Sequence, residues 1–387
     1  MKIYQVGGAV RDLLLGIEPK DRDWVVVGAN QQELLTKGFK KVGRAFPVFL
    51  HPETKEEYAL ARTEKKQGEG HSGFETFFHS KITLEEDLAR RDFTVNAIAI
   101  DQNGKLIDPF NGIEDLKKKL LRHVTVAFVE DPLRVLRAAR FSAKLMFSIA
   151  PETMALLSII VQSGELASLS NERIQREFML SLQAPAPYRF FATLHDCGAL
   201  SQVFSECNHI ELINPRSVIY KQFKRIKNPS ERDYLILLAV YISTLKKNKE
   251  IFDFLKLVKR LKFSKLIQEQ VAIATEHWQI IVNASNSSSH STLELLKKTD
   301  AFRRVTRFKQ ILVSLRAIIP TRGNDNKENQ SLRFLEYIVD NPVSIKKFLK
   351  NNSVESTKSH QIQLIIDQKR REAIDQAREL FFHNRQN

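Results

Sequence analysis

The chain has 387 residues, 43% hydrophobic and 27% charged, which fits two or three folded units better than one small domain. Two cysteines, Cys197 and Cys207, are too few for a disulfide framework or a cysteine zinc site, and no apolar run reaches membrane-spanning length. Sixty basic against 45 acidic residues leave a formal net charge of +15, a footprint suited to a polyanionic partner. The start, MKIYQVGG, enters a strand directly without a signal-peptide layout, so the cytosol is the expected compartment.

Lys2–Val6 reads as a short buried strand that runs into Gly7-Gly8. Neither glycine carries a Cβ, so the backbone can turn tightly and bring its N–H groups close to a ligand. Ala9–Leu15 reads as a helix whose start faces that turn, and free amides at a helix start favour an anion such as phosphate. Arg11 points the same way. An apolar strand, Asp21–Gly28, follows, with Asp21 and Asp23 at its mouth; a period of two sets both carboxylates on one face. Two hard oxygen ligands beside a phosphate cradle suit a pair of Mg²⁺ ions and in-line phosphoryl transfer. Taken singly, a Gly-Gly turn is usually only a turn and an Asp-x-Asp pair only a solvated strand end. Their union in one strand–turn–helix–strand unit carries the reading.

A helix near Gln31–Lys37 and strand-like segments at Lys41–Leu50 and Glu56–Arg62 complete a small mixed sheet with helices on one side, an α+β pattern. Glu57 is a candidate third metal ligand, against the plainer reading of a solvent-facing strand residue. Glu64–Lys81 is rich in Gly, Lys, Glu, His and Ser, lacks periodicity and reads as a mobile loop. Thr83–Arg91 is a predicted helix, with Thr83 as N-cap and Glu86 closing a capping box. It feeds Arg90-Arg91-Asp92-Phe93-Thr94-Val95-Asn96-Ala97, where paired arginines can grip a triphosphate and Asp and Asn can brace them. Taken alone, an Arg pair in this place is better read as compensation of the helix dipole. Ile98–Ile100 and Leu106–Ile107 flank a turn at residues 102–105 as a hairpin, and Ile113–Leu120 is a short helix whose Lys117, Lys118 and Lys119 form a solvated face.

In Glu130-Asp131-Pro132-Leu133-Arg134-Val135-Leu136-Arg137-Ala138-Ala139-Arg140-Phe141, Asp131 suits an N-cap and Pro132 the first helical position. Leu133, Leu136, Ala139 and Ala143 supply a buried stripe, and Arg134, Arg137 and Arg140 fan over another side. Three arginines on one face repel one another unless an anion, such as a triphosphate, sits there. The plain alternative is an amphipathic helix with an Arg-rich exposed face.

GGAVRDLLLG with KDRDWVVVG, then RRDFTVNA, then EDPLRVLRAARF together resemble the class II, poly(A) polymerase-like nucleotidyltransferases. The likeness is greatest to the bacterial CCA-adding enzymes and covers roughly the first half of the chain. It implies a polymerase-β-like head, residues 1–125, a helical neck with a base-selecting helix, residues 126–205, and a helical body and tail, residues 206–387. It implies that Asp21 and Asp23 are catalytic and bind Mg²⁺, and that Gly8, Arg11, Arg91, Arg137 and Arg140 hold CTP or ATP. Asp92 and Asn96 would act as support or sugar contacts. Asp131 and Arg134 would hydrogen-bond the edge of the incoming base, with Glu130 orienting Arg134, so that protein serves as template for adding CCA to tRNA. The 64–81 loop would take part in the switch from C to A.

From about residue 148 the strand signals fade. Pro151–Gln162 and Asn171–Leu182 read as amphipathic helices, Pro185 and Pro187 break the second, and Arg189–Leu194 starts another. His195-Asp196 has no preceding His partner at helical spacing and reads as structural. Where a long-form relative would carry a metal-binding HDxGK, only apolar Leu235–Leu245 stands, so no phosphohydrolase activity is expected. Lys221, Lys224, Arg225 and Lys227, then Lys246, Lys247 and Lys249, then Lys256, Lys259, Arg260 and Lys262 are candidate RNA-backbone contacts or solvated faces. Asn283–Thr292 and Thr321–Ser331 read as loops, and a closing helix near Ile362–Phe381 carries Lys369-Arg370-Arg371. The rivals are a poly(A) polymerase or a partial CC- or A-adding enzyme, and, from another class, a non-catalytic RNA-binding protein. Val42–Pro52 looks more like the CCA-adding version than the polymerase one, and intact Asp21 and Asp23 speak against the non-catalytic reading.

Overall fold

The computed structural model describes residues 1–19, 21–42, 48–66, 74–207, 210–245, 251–319, 327–342 and 359–383. Two compact units result, Met1–Pro215 and Arg216–Asn387. The first begins with β1 (Lys2–Val6), α1 (Gly8–Leu14), β2 (Asp23–Val27), α2 (Gln31–Thr36), β3 (Lys40–Val42), β4 (Val48–Leu50) and β5 (Glu57–Leu60). It continues with β6 (Thr63–Lys66), β7 (Phe74–Phe77), α3 (Leu84–Ala89), β8 (Ala99–Asp101) and β9 (Leu106–Ile107). Seven strands make one sheet in the order β3-β4-β5-β2-β1-β8-β9. Within it β2 and β5 run parallel and the other pairs antiparallel.

The apolar run Trp24–Val27 does not alternate because β2 is covered on both faces. Val25 packs with Val6, Ile82, Leu88 and Ala99 in one core, and Val26 packs with Leu34, Phe49 and Leu60 in the other. Leu34 comes from α2 and Leu88 from α3, so helices lie on both sides of the sheet, not on one. This corrects the expectation from the strand pattern, which cannot say which face a helix will cover.

Other boundaries also shift. β2 starts at Asp23, and Asp21 lies in a bend before it, outside the pleat that would have aligned the two carboxylates. Lys41–Leu50 is a hairpin of β3 and β4, whose intervening residues 43–47, within the Val42–Pro52 segment weighed above, lie outside the described residues. The expected 64–81 loop is instead partly strand: β6 and β7 fall within it and pair antiparallel from Thr63↔Phe77 to Lys66↔Phe74, while its centre, 67–73, lies outside the described residues. Charged residues and glycines hide that pairing from a search for apolar alternation. The capping box of α3 forms as expected: Glu86 N donates to Thr83 Oγ1 at 3.2 Å and Thr83 N donates to Glu86 Oε2 at 2.7 Å.

Helices then dominate: α4 (Gly112–Lys118), β10 (Leu120–Leu121), α5 (Leu133–Leu145), β11 (Ser148–Ile149), α6 (Pro151–Gln162), α7 (Asn171–Leu182), α8 (Tyr188–Asp196), α9 (Leu200–Val203) and α10 (Ile210–Ile213). The chain is therefore α+β at its start and mostly helical beyond, the short parallel pair of β10 and β11 being the departure from the all-α expectation. α5 buries Leu133, Leu136, Ala139 and Ala143 and packs against α7 and α8. It begins one residue later than expected. Pro132 takes the cap position with φ −62°, and the Asp131 carboxylate still accepts Leu133 N at 3.0 Å. His195 and Asp196 are exposed at the end of α8, hydrogen-bonded to each other at 3.3 Å.

The second unit comprises α11 (Val218–Phe223), α12 (Glu231–Leu245), α13 (Ile251–Arg260), α14 (Lys265–Val282), α15 (Ser289–Lys298), α16 (Val305–Arg316), α17 (Lys327–Asp340) and a closing helix, Ser359–His383. α12 is its centre, buried continuously from Tyr234 to Val240. Asn283–Thr292 is less of a loop than expected, because Ser288 caps α15 within it. Arg225, one of the candidate RNA contacts, instead donates to the carbonyls of Ala317 and Ile319 at 3.0 and 2.8 Å, closing the end of α16. Lys246, Lys247 and Lys249 and most of the 321–331 linker fall outside the described residues. Among the described residues no helix is long and apolar enough to cross a membrane.

Candidate active site

The site is built where α1 leaves β1. Gly7 has φ +72°, the left-handed region in which an L side chain is strained, and a Cβ there would stand 2.5 Å from Arg91 Nη1. The backbone thus favours glycine here, and a side chain at this position would also have to displace the guanidinium pressed against it. One turn into α1, Arg11 is buried. It donates to Asp12 Oδ1 at 2.6 and 2.8 Å and, through Nη1, to Asn96 Oδ1 at 2.6 Å. Asn96 in turn donates to Asp92 Oδ1 at 2.9 Å. The other oxygen of Asp92 accepts from Arg137 Nε and Nη2 at 2.8 and 2.5 Å. A continuous polar chain therefore links α1, the turn after α3, and α5. Its centre, Asp92, is buried, and its Arg137 partner together with the Asn96 hydrogen bond outweighs that burial and holds the carboxyl down at about 2.

The paired arginines take separate partners. Arg90 donates to Asp87 at 2.9 and 3.1 Å and to Glu64 at 3.1 Å. Arg91 makes longer contacts of 3.4 Å to Asp87 and to the Asn96 carbonyl. On α5, Arg134 donates to the carbonyls of Ala127 and Arg90 at 3.1 and 2.8 Å, and Arg140 donates to Glu177 of α7 at 2.5 Å. Two sequence expectations need correction. The arginines of α5 need no external anion to coexist, since Asp92 and Glu177 already balance Arg137 and Arg140. Arg134 is oriented by two main-chain carbonyls, not by Glu130. The carboxylate of Asp131 lies 3.8 Å from Arg173 on α7.

These elements enclose a cavity of about 560 Å³. Gly8, Arg11, Asp23, Arg91, Asp131, Arg134, Arg137 and Arg140 all line it. The remaining candidate, Asp21, lies in an adjoining cleft of about 640 Å³ that shares Asp23 and Glu57 with the first. Burial pushes the Asp23 carboxyl up; Arg91 pulls it back and the like charge of Asp21 adds to the rise. β2 and β5 set Asp23 level with Glu57. Among the described residues no three His, Cys, Asp or Glu side chains converge as a metal centre. Two neighbouring aspartates still fit Mg²⁺, a hard cation that one or two carboxylates hold together with substrate phosphates and water. The raised Asp23 carboxyl is what a cation would relieve.

Arg62 and Lys144 also line the cavity, and Glu177 and Arg173 brace it, although the sequence reading did not name them. Lys144 had a signal, since it continues the spacing of Arg134, Arg137 and Arg140 by one more turn. Arg62, Arg173 and Glu177 had none, because they reach the site from other elements.

Residues 3–122 match the family described as "Poly A polymerase head domain", and residues 146–210 the family described as "Probable RNA and SrmB- binding site of polymerase A". The "CCA-adding enzyme" of Francisella tularensis subsp. novicida is 48% identical over 294 residues, which is 74% of this chain and 79% of that one. The "Multifunctional CCA protein" of Vibrio vulnificus is 59% identical over 209 residues, 53% of this chain; the chain spans only 51% of that relative's length. The Bacillus stearothermophilus CCA-adding enzyme in complex with CTP superposes with a TM-score of 0.68 at 23% identity, covering 96% of this chain and 88% of that one, and so shares its fold. The extent of the Francisella match, joined to the two family matches, means that this chain belongs to the CCA-adding enzyme family of nucleotidyltransferases.

Proposed function

We propose that the protein adds the 3′-terminal CCA to tRNA, without a nucleic-acid template, by nucleotidyl transfer from CTP and ATP with release of pyrophosphate. The supporting observation is the single cavity in which eight of the nine candidate residues meet. The phosphate chain of the nucleotide lies against Arg11, Arg91, Arg137 and Arg140, near Gly8. Asp131 accepts from the exocyclic amine of the base and Arg134 donates to the neighbouring ring nitrogen. Cytosine and adenine both present an amine beside an acceptor nitrogen, whereas guanine and uracil present the reverse order and are refused. The tRNA 3′-hydroxyl attacks the α-phosphate; the new O–P bond forms as the bond to the β-phosphate oxygen breaks. Asp21 and Asp23 would hold Mg²⁺, which when bound polarises phosphate oxygens and offsets the charge of the transition state. Residues 1–125 serve as catalytic head, 126–205 as base-selecting neck and 206–387 as the tRNA-binding body and tail, all in the cytosol. Incubation of tRNA lacking its end with CTP, ATP or both is the test. CC from CTP alone and CCA from the mixture support the reading, while long A tails on unrelated RNA overturn it.

A further inference from the structure

Three phenylalanine rings line up beneath the arginines of the cavity. Phe93 stands with its centroid 5.7 Å from Phe128 on one side and 5.7 Å from Phe141 on the other, nearly edge-on to the latter at 78°. Phe93 and Phe128 are wholly buried, and Phe141 borders the cavity itself. Four guanidiniums sit over this row. Arg134 lies 5.4 Å from the centre of Phe128, while Arg11, Arg137 and Arg140 lie 5.3, 5.4 and 4.1 Å from the centre of Phe141. The rings come from the turn after α3, the turn before α5 and α5 itself, so no local sequence rule assembles them.

Four cations gathered in one cavity repel each other. Carboxylates can hold them, as Asp92 and Glu177 do, but a carboxylate occupies the same N–H groups that a phosphate needs and adds negative charge that a triphosphate meets. An aromatic face attracts the guanidinium through its quadrupole without taking a donor and without adding net charge. We propose that Phe93, Phe128 and Phe141 form a positioning platform that works beside the carboxylate and carbonyl contacts: Phe141 steadies the arginines that grip the polyphosphate, Phe128 steadies the arginine that reads the base, and Phe93 locks the two rings together. This rests on the nucleotidyl-transfer reading above.

The test uses the full-length protein and inorganic tripolyphosphate, a probe with no base, measured by calorimetry and as a competitor of CTP. Phenylalanine at position 141 is replaced by analogues with one, two and three ring fluorines, which weaken the negative face while keeping the ring shape. Tripolyphosphate affinity should fall stepwise with fluorination. Phe141→Leu should lose about tenfold, as expected for three cation–π contacts at the weak end of their range, with KM for CTP and ATP raised by one common factor. Phe128→Leu should leave tripolyphosphate binding intact and erode discrimination of CTP from UTP. Phe204→Leu, a buried ring in the neck core, controls for lost stability alone and should leave every KM unchanged. A flat response to fluorination, or equal KM effects from Phe141→Leu and Phe204→Leu, overturns the platform. Failure of the unaltered protein to bind tripolyphosphate in competition with CTP would instead overturn the nucleotidyl-transfer reading.

Discussion

Asp92 is the residue whose loss the structure prices most directly. It accepts Phe93 N and Asn96 Nδ2 on one oxygen and both Arg137 contacts on the other. Asp92→Asn keeps the shape, but it removes the charge and turns an amide donor toward the donors of Arg137. Lowering the carboxyl from 3.8 to about 2 corresponds to roughly 2.5 kcal/mol, at about 1.4 kcal/mol per pH unit. The side chain is 7% exposed, so solvent screening removes little of this. Leaving Arg137 half-buried without its anion adds to the loss, for a total of about 3–5 kcal/mol. The sign follows from the direction. Because the folded-state value lies below the unfolded one, this stability is fully present above about pH 4 and is lost as pH falls toward 2. Urea unfolding followed by Trp24 fluorescence, in a Trp278→Phe background, isolates the unit that holds the site. The gap between the parent and Asp92→Asn should be about 3 kcal/mol or more at pH 7 and should shrink by about 2 kcal/mol between pH 5 and pH 2, with the rest lost below pH 2. A gap below about 1 kcal/mol at pH 7, or one that stays constant over that interval, would mean that Asp92 does not hold Arg137 as a buried ion pair.

Arg134→Ala should relax base choice more than it slows catalysis: incorporation of UTP relative to CTP should rise by about 5- to 150-fold, the worth of one well-placed base contact, as read in competition assays. Gly7→Ala should cost about 1–2 kcal/mol of stability from its positive φ and should raise KM for both nucleotides by displacing Arg91; unaltered kinetics would contradict the contact. Arg225→Ala should lower the stability of the second unit by about 1.5–3 kcal/mol, as two charge-assisted hydrogen bonds are lost, with KM for CTP unchanged; an unchanged transition followed by Trp278 fluorescence would contradict this.

How much was legible in the sequence depended on how local the cause was. Thr83 and Glu86 announced the start of α3 because both halves of the capping box lie within one turn. The buried stripe of α5 was equally plain, since helical periodicity needs only thirteen consecutive residues. The Gly-Gly turn and the arginine fan together indicated the cavity. What the arginines rest on was not legible. Asp92 and Glu177 meet Arg137 and Arg140 across 45 and 37 positions, and nothing in a helix's own spacing selects such partners. The pairing of β6 with β7 was hidden because β6, Thr63–Lys66, carries no apolar residue and a Gly-rich stretch separates it from β7. Arg225 looked like one more cation in a basic run, and only the fold reveals the two carbonyls that claim it.

The most direct measurement is a crystal structure of the protein with CTP and Mg²⁺. The triphosphate should lie between Gly8 and Arg137 and Arg140, the metal on Asp21 and Asp23, and the cytosine edge against Asp131 and Arg134. Nucleotide bound outside that cavity, or a cytosine edge that meets neither Asp131 nor Arg134, would contradict this placement.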